Sequence, residues 1–444
     1  MKILEKIKQI ESELIKDVQG LLQIDSTLVE DLDNKNAPFG EGIKKSLDYV
    51  LDLGKKFGFE VKNINNYAGH IEFGEGEDII GILVHIDVVP AVGKWKHHPF
   101  SATIEDGKIY ARGAIDDKGP TISALYAMKV LKDMGVKLNK RVRLIIGTDE
   151  ETKWRCMDEY FKNEEMPTLG FSPDANFPVI YGEKGIMSID IISNDKSDIK
   201  FKSGVRYNVV PDEAYAVVGK DLKNEFNKYL KDNNFDGEVG NELKLFGSSA
   251  HAMQPEKGVN ALINLAKFLN DHTTNNIVKF ISENLTETRF RQMGLDFSDP
   301  EMKDLTVNVA VVEVDENGGK LGLNLRYPIN WDKEYFLSKF KLKAKEYNLE
   351  VKVVSDQVPH YVPEDDELVR TLHNAYTTYT NDTVNKNITI GGGTYARALK
   401  KGVAFGMMFP GREDVVHQVD EHVFIEDLVL ATAIYAKAIK DLGK

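Results

Sequence analysis

The sequence predicts an α/β protein whose mostly parallel sheet is interrupted by an inserted α+β domain made of two similar halves. Three observations lead there. Helix and strand patterns alternate from about residue 41 to 180, short strands dominate from about 188 to 365, and the alternation returns after 366. Strands separated by helices of ordinary length imply a parallel sheet covered on both faces. The expected division is therefore 1–187 with 366–444 for one domain and 188–365 for the insertion. A chain of 444 residues also exceeds what a single core usually supports.

Each element follows from its spacing. The N-terminal "MKILEKIKQIESELIKDVQGLLQI" interleaves charges with apolar residues at helical intervals and contains no uninterrupted signal-peptide core. "GIKKSLDYVLDLGKKFG" reads as a helix ending at Gly58, "DIIGILVHI" as a buried strand, "PTISALYAMKVLKDMGV" as a helix opened by Pro120, and "RVRLIIGTD" as another strand. Inside the insertion, "EAYAVVG", "DLKNEFNKYLKD" and "ELKLFG" parallel "KLGLNLRYP", "WDKEYFLSKFKLKAKEYN" and "LEVKVVS". Both runs read strand, helix, strand. The chain then resumes with helix "ELVRTLHNAYTTYT", strand "GVAFGMMFPG" and helix "IEDLVLATAIYAKAIKDL".

Composition excludes several classes. Hydrophobic residues at 42% and charged residues at 29% are ordinary for a globular chain, so a disordered or fibrous protein is ruled out. A formal net charge of -13, with no long Lys/Arg block, argues against nucleic acid or an anionic membrane as partner. No apolar run approaches the roughly 20 residues of a membrane span. The single cysteine, Cys156, cannot form an internal disulfide, which fits a reducing compartment. In the helical "WRCMDEYF" it reads better as a small buried residue than as a nucleophile. A cytoplasmic protein is expected.

The strand "DIIGILVHIDVVP" ends in two ionisable groups that point the same way, His85 and Asp87, because side chains alternate along a strand. Alone, the pair is as consistent with a turn cap and a boundary histidine as with a site. Ligands of an open parallel sheet bind beyond the C-terminal ends of its strands. There the sequence places Asp116 and Asp117 after "KIYARGAI", Asp149, Glu150 and Glu151 after "RVRLIIGT", and Asp174 in "LGFSPDANFP". Carboxylates gathered at one sheet edge repel one another unless something positive sits among them. Carboxylates and neutral imidazoles without cysteine favour divalent metal, and more than four candidate ligands favour two ions bridged by a shared carboxylate.

The stretches "VHIDVVP", "RGAIDDKGP", "GTDEET", "FSPDANFP", "GSSAHAMQPEKGVNA" and "VVHQVDEH" resemble, in order and spacing, the co-catalytic di-metal exopeptidases that include aminoacylase, carnosinase and carboxypeptidase G. Within that family the chain is similar to the bacterial dipeptidases of the PepV type. The resemblance spans nearly the whole chain. It implies a di-zinc exopeptidase-like catalytic domain with an inserted lid domain, and two divalent ions, zinc first with manganese or cobalt as substitutes.

Carried over residue by residue, it makes His85 and Asp174 ligands of one metal, Glu151 and His417 ligands of the other, and Asp116 the bridge. Asp87 would hydrogen-bond His85 and fix its tautomer, and Glu150 would be the general base. His251 in "GSSAHAMQP" and Asn208 in "RYNVVP" would polarise the scissile carbonyl. Arg326 and the loop containing Gly392, Gly393 and Thr394 would grip a substrate carboxylate, although a tight turn accounts for the glycines equally well. Val84, Ala111 and Lys153 stand where the family commonly has glycine, which affects local backbone geometry and removes no ligand.

The implied activity is hydrolysis of short unblocked peptides, by a monomer rather than a homodimer. An N-acyl amino-acid deacylase, aminoacylase or desuccinylase, is the alternative with the same metal site. A metal-binding protein without catalysis is the rival of another class. Phosphoryl transfer is disfavoured because the lysine-containing phosphate loop is missing.

Overall fold

The structure, a computed structural model, describes residues 2–444. The chain forms two compact units, one of residues 1–181, 362–388 and 394–444, the other of 182–361 and 389–393. The crossings thus fall a few residues before the expected 187/188 and 365/366. A short return segment, 389–393, joins the second unit rather than the first. Hydrogen bonds account for that: Lys184 N–H donates to Ile390 O at 3.0 Å, and Arg326 Nη1 donates to Gly391 O at 2.9 Å.

In the first unit, β3 (Ile79–His85), β4 (Arg141–Gly147), β5 (Leu169–Ser172) and β14 (Gly402–Ala404) run parallel in the order β4-β3-β5-β14. The hairpin of β1 (Glu60–Ile64) and β2 (Ala68–Phe73) extends the sheet antiparallel beyond β4. Every residue of β3 is buried, the pattern of a parallel strand covered on both faces. His85 lies in register with Gly147, so β3 and β4 end at the same level. Helix α3 (Glu41–Lys56) packs on β1 and β2, and α4 (Lys118–Asp133) packs on β3 and β4 and against α11 (Ile425–Leu442). Both α4 and α11 are buried around most of their circumference, which matches their nearly continuous apolar sequences.

Three local expectations change. The N-terminal helical run is two helices, α1 (Lys2–Gln9) and α2 (Glu11–Leu22). "GVAFGMMFPG" is not one strand: β14 ends before Gly406, whose φ of 82° lies in the left-handed region, and Met407–Met408 pair instead with Ala175–Asn176. "KIYARGAI" is also not a strand of the main sheet. Only Lys108–Tyr110 is extended, in a small sheet with Thr103–Glu105 and His422–Phe424, and the chain then turns at Gly113, φ 87°.

The second unit is an eight-stranded antiparallel sheet. Its strands are β6 (Gly185–Ser193), β7 (Ile199–Ser203), β8 (Glu213–Val218), β9 (Asp236–Val239), β10 (Leu243–Phe246), β11 (Thr306–Asp315), β12 (Gly318–Tyr327) and β13 (Glu350–Gln357), in the order β9-β10-β8-β7-β11-β12-β6-β13. The order repeats about the β7–β11 centre. In one half α6 (Lys223–Asn233) joins the parallel strands β8 and β9, with β10 antiparallel in the gap. In the other, α9 (Lys333–Lys345) joins β12 and β13, with β6 in the gap. The repeat expected from the sequence is therefore present with one correction: the strand after the first helix is the short β9, and "ELKLFG" is the gap strand. One face of this sheet carries a core that includes Ile189, Leu323, Val309, Phe226, Phe280 and Phe340.

In the first unit's core, Leu144→Ala should cost about 2–5 kcal/mol, since the residue is fully buried in β4. A lowered urea midpoint checks this, and an unchanged midpoint contradicts the assignment of that core.

Candidate metal centre

The first unit brings together His85, Asp87, Asp116, Glu150, Glu151, Asp174 and His417. His85 closes β3, and its ring is fully buried. Its Nδ1 lies 3.0 Å from the backbone oxygen of Asp87. A carbonyl only accepts, so Nδ1 carries a proton, and in the neutral ring the lone pair of Nε2 faces outward. Nε2 points at Asp116 Oδ1, 2.9 Å away, and Asp174 Oδ2, 3.6 Å away.

The Asp87 carboxylate has a second set of partners besides the His85 ring. It stands 3.5 Å from the His85 ring, while Oδ1 accepts the N–H of Glu150 at 3.1 Å and Oδ2 that of Glu151 at 3.0 Å. Asp87 thus holds His85 through its main chain and the two glutamates through its side chain. Those glutamates follow β4, where Asp149 accepts from the Arg155 guanidinium at 2.7 and 2.9 Å and anchors the turn into α5 (Arg155–Asn163).

Asp116 reaches the site from a turn before α4, not from a strand of the main sheet. Its Oδ1 faces His85 and its Oδ2 lies 2.9 Å from His417 Nε2. The same His417 nitrogen lies 3.0 Å from Glu151 Oε1. One carboxylate therefore stands between two imidazoles. Ligand atoms of His85, Glu150 and Asp174 lie within 4.8 Å of one another, and so do those of His85, Asp116 and Glu151. Asp117, the next residue, accepts the backbone N–H of His85 at 3.0 Å.

The electrostatics are those of crowded acids. Burial pushes the Glu150 carboxyl well above its ordinary value, and burial with the Asp116 charge pushes Glu151 up to about 7. Burial opposes ionisation of Asp116, yet His417 and His85 hold its carboxyl below the usual range. Burial likewise works against charge on the imidazoles, but Asp116 and Glu151 lift His417 to about 11, and Asp116, Asp174 and Asp87 push His85 well above 6.5. A pocket that draws protons so strongly also draws divalent cations, which compete for the same lone pairs. His85 Nε2 and Asp116 Oδ1 are buried and, among the described residues, have no hydrogen-bond partner despite their closeness. Two orphaned donor atoms amid further carboxylates fit a metal.

The remaining candidates belong to the second unit, except Thr394. Asn208 and His251 are exposed on adjoining segments, linked by Ala252 N–H donating to Asn208 O at 3.0 Å. Arg326 is buried, with Nε donating to Asn324 Oδ1 at 2.8 Å and Nη1 to Gly391 O. Gly392 is buried and Gly393 exposed. No α-helix follows these glycines. Thr394 caps a single 3-10 turn, Tyr395–Ala398.

The profile of "Peptidase family M20/M25/M40" matches residues 81–441. The chain belongs to this family. Membership makes it a hydrolase of peptide bonds. Family relatives agree over the full length: a Bacillus subtilis protein named "Putative dipeptidase YtjP" is 44% identical over 455 residues, covering 97% of each chain, and a Staphylococcus aureus protein named "Putative dipeptidase SAB1611c" is 44% identical over 99% of this chain and 98% of its own. Solved structures share the fold. Human carnosine dipeptidase 1 aligns with a TM-score of 0.59 at 13% identity, covering 100% of this chain and 98% of its own. The dipeptidase Dug1p of Saccharomyces cerevisiae aligns with 0.58 at 14%, covering 99% and 98%. No described helix is long and apolar enough to cross a membrane.

Two residues outside the sequence-derived set, Arg112 and Glu421, pair behind Asp116. Both lie inside quoted motifs, "RGAIDDKGP" and "VVHQVDEH", but nothing in the sequence couples positions so far apart.

Without metal, groups whose folded pKa is raised stabilise below their unfolded values and lose that contribution as pH rises through the folded ones. Glu151 sets a window from 4.5 to about 7 and His417 one from 6.5 to about 11. Chelator-treated protein should therefore melt at falling temperature as pH rises from about 4.5. A divalent ion at 100 times its Kd should restore about 2.7 kcal/mol near neutrality. A melting temperature indifferent to pH and zinc would contradict this.

Proposed function

We propose that the protein is a metal-dependent dipeptidase that hydrolyses short unblocked peptides, with Glu150 as general base. One observation carries the reading: the two oxygens of Asp116 each meet a different imidazole, with Glu151 and Asp174 alongside. On this reading His85 and Asp174 would hold one divalent ion, Glu151 and His417 the other, and Asp116 would be shared between them. The donor set suits zinc and also admits manganese or cobalt. Such ions, when bound, acidify water and neutralise the carboxylate cluster.

Glu150 takes the proton of the attacking water and delivers it to the leaving amine. Its partial burial keeps its affinity for that proton high. Its neighbour is committed elsewhere, because Glu151 is tied to His417 while the Glu150 carboxylate has no hydrogen bond among the described residues. Asp87 fixes the backbone of both, so the two adjacent glutamates hold distinct positions.

His251 and Asn208 would support the carbonyl oxygen as negative charge develops, and Arg326 with Gly392, Gly393 and Thr394 would receive the peptide's C-terminal carboxylate. Relatives named as dipeptidases support a small-peptide substrate. A cytoplasmic monomer completes the reading: the lone cysteine suits a reducing compartment, and the second unit repeats one plan within a single chain.

The test is a panel of dipeptides and N-acyl amino acids, run on protein sized by light scattering. Dipeptide turnover by a particle of about 50.0 kDa is expected. Glu150→Gln should lower kcat by about 10²–10⁴-fold with metal content unchanged. Turnover confined to acylated substrates would favour the deacylase, and a Glu150→Gln variant of near-normal activity would remove the assigned base.

A further inference from the structure

Behind Asp116 lies an ion pair that the proposed chemistry leaves unused. Arg112 is 2% exposed and Glu421 0%, and Arg112 Nη1 donates to Glu421 Oε2 at 2.6 Å. The other Glu421 oxygen accepts the backbone N–H of Ile115 at 3.1 Å and that of Asp116 at 3.4 Å. At its far side the guanidinium donates from Nη2 to the backbone oxygen of His417 at 3.4 Å. Main-chain bonds brace the assembly, with Ala111 N–H donating to Glu421 O at 3.0 Å and Arg112 N–H to Pro99 O at 2.9 Å. The Trp95 ring stands 5.0 Å from the guanidinium.

A buried ion pair is a poor source of stability. Desolvation offsets most of the Coulomb attraction, and apolar residues of similar volume often fold as well. What this pair does offer is geometry. Asp116 lies on the turn before α4, and His417 on a loop some three hundred residues later with φ 61°, a region few residues other than glycine adopt. Neither segment belongs to the main sheet, so β3 and β4 alone do not set their separation.

We infer that the Arg112–Glu421 pair is a positioning device that sets the distance between Asp116 and His417, and so builds the second metal position. The inference rests on the proposed metal centre. A planar guanidinium suits the task because its fork spans two acceptors at fixed spacing, which an ammonium does not. Neither residue touches substrate or ion.

Metal uptake separates this role from plain stabilisation. Chelator-stripped protein is titrated with zinc, bound metal is counted by mass spectrometry, and thermal unfolding is recorded without metal. The unaltered protein should take up two ions per chain. Arg112→Lys should melt near the unaltered protein when metal-free, yet bind the second ion about 10–100-fold more weakly. The double variant Arg112→Met with Glu421→Leu should fold and hold a single ion in the same zinc range. Two ions bound with unaltered affinity by either variant would overturn the inference. So would weakening that merely follows a loss of folding, or failure of both variants to fold, since the pair would then be structural. Unaltered protein that takes up no zinc would instead overturn the metal-centre reading beneath it.

Discussion

Mutual repulsion among Asp116, Glu150, Glu151 and Asp174 is the constraint the rest of the site answers. Ligand atoms from these residues crowd within a few ångströms, in surroundings too dry for water to screen them. Something positive must enter. Protons on His85 and His417 serve in the absence of metal, which is why both imidazoles hold them so firmly. Divalent ions would serve the same need and leave the imidazoles as neutral ligands. Stability, metal affinity and acid–base chemistry are thus three readouts of one electrostatic problem.

The scaffold meets that problem with fixed geometry. Parallel strands deliver His85 and the two glutamates to one edge at one level, and Asp87 links the two strand ends. The less regular segments that carry Asp116 and His417 are tied to each other by Arg112 and Glu421. A displacement of any one group would change the field felt by the others. Cys156 takes no part, because burial pushes its thiol up to about 12 and its only side-chain partner among the described residues is the buried Tyr395 hydroxyl.

Much of this was legible in the sequence where local pattern and global fold agree. "DIIGILVHI" is apolar until His85 because both faces of β3 are covered, so a polar strand end stands out. "RVRLIIGTDEE" is readable for the same reason. "KIYARGAI" alternates like a strand, but Gly113 turns the chain and the Glu421 carboxylate receives the freed amides, so Asp116 reaches the site from a turn. The repeat within the second unit showed in its helices, which are long enough to display a period, whereas the four-residue β9 is too short to announce itself. The partnership of Arg112 with Glu421 spans 309 residues and left no local signal. Nor could spacing show that Asp87 holds the glutamates, since that depends on how β3 and β4 pair.

On the proposed reading Asp116 would stand between two ions while Glu150 stays free of both. Anomalous diffraction from crystals grown with zinc tests it most directly. Two peaks about 3.5–4 Å apart are expected, one beside His85 and Asp174, the other beside Glu151 and His417, with Asp116 touching both. A single peak, or Glu150 bound in place of Asp174, would contradict it.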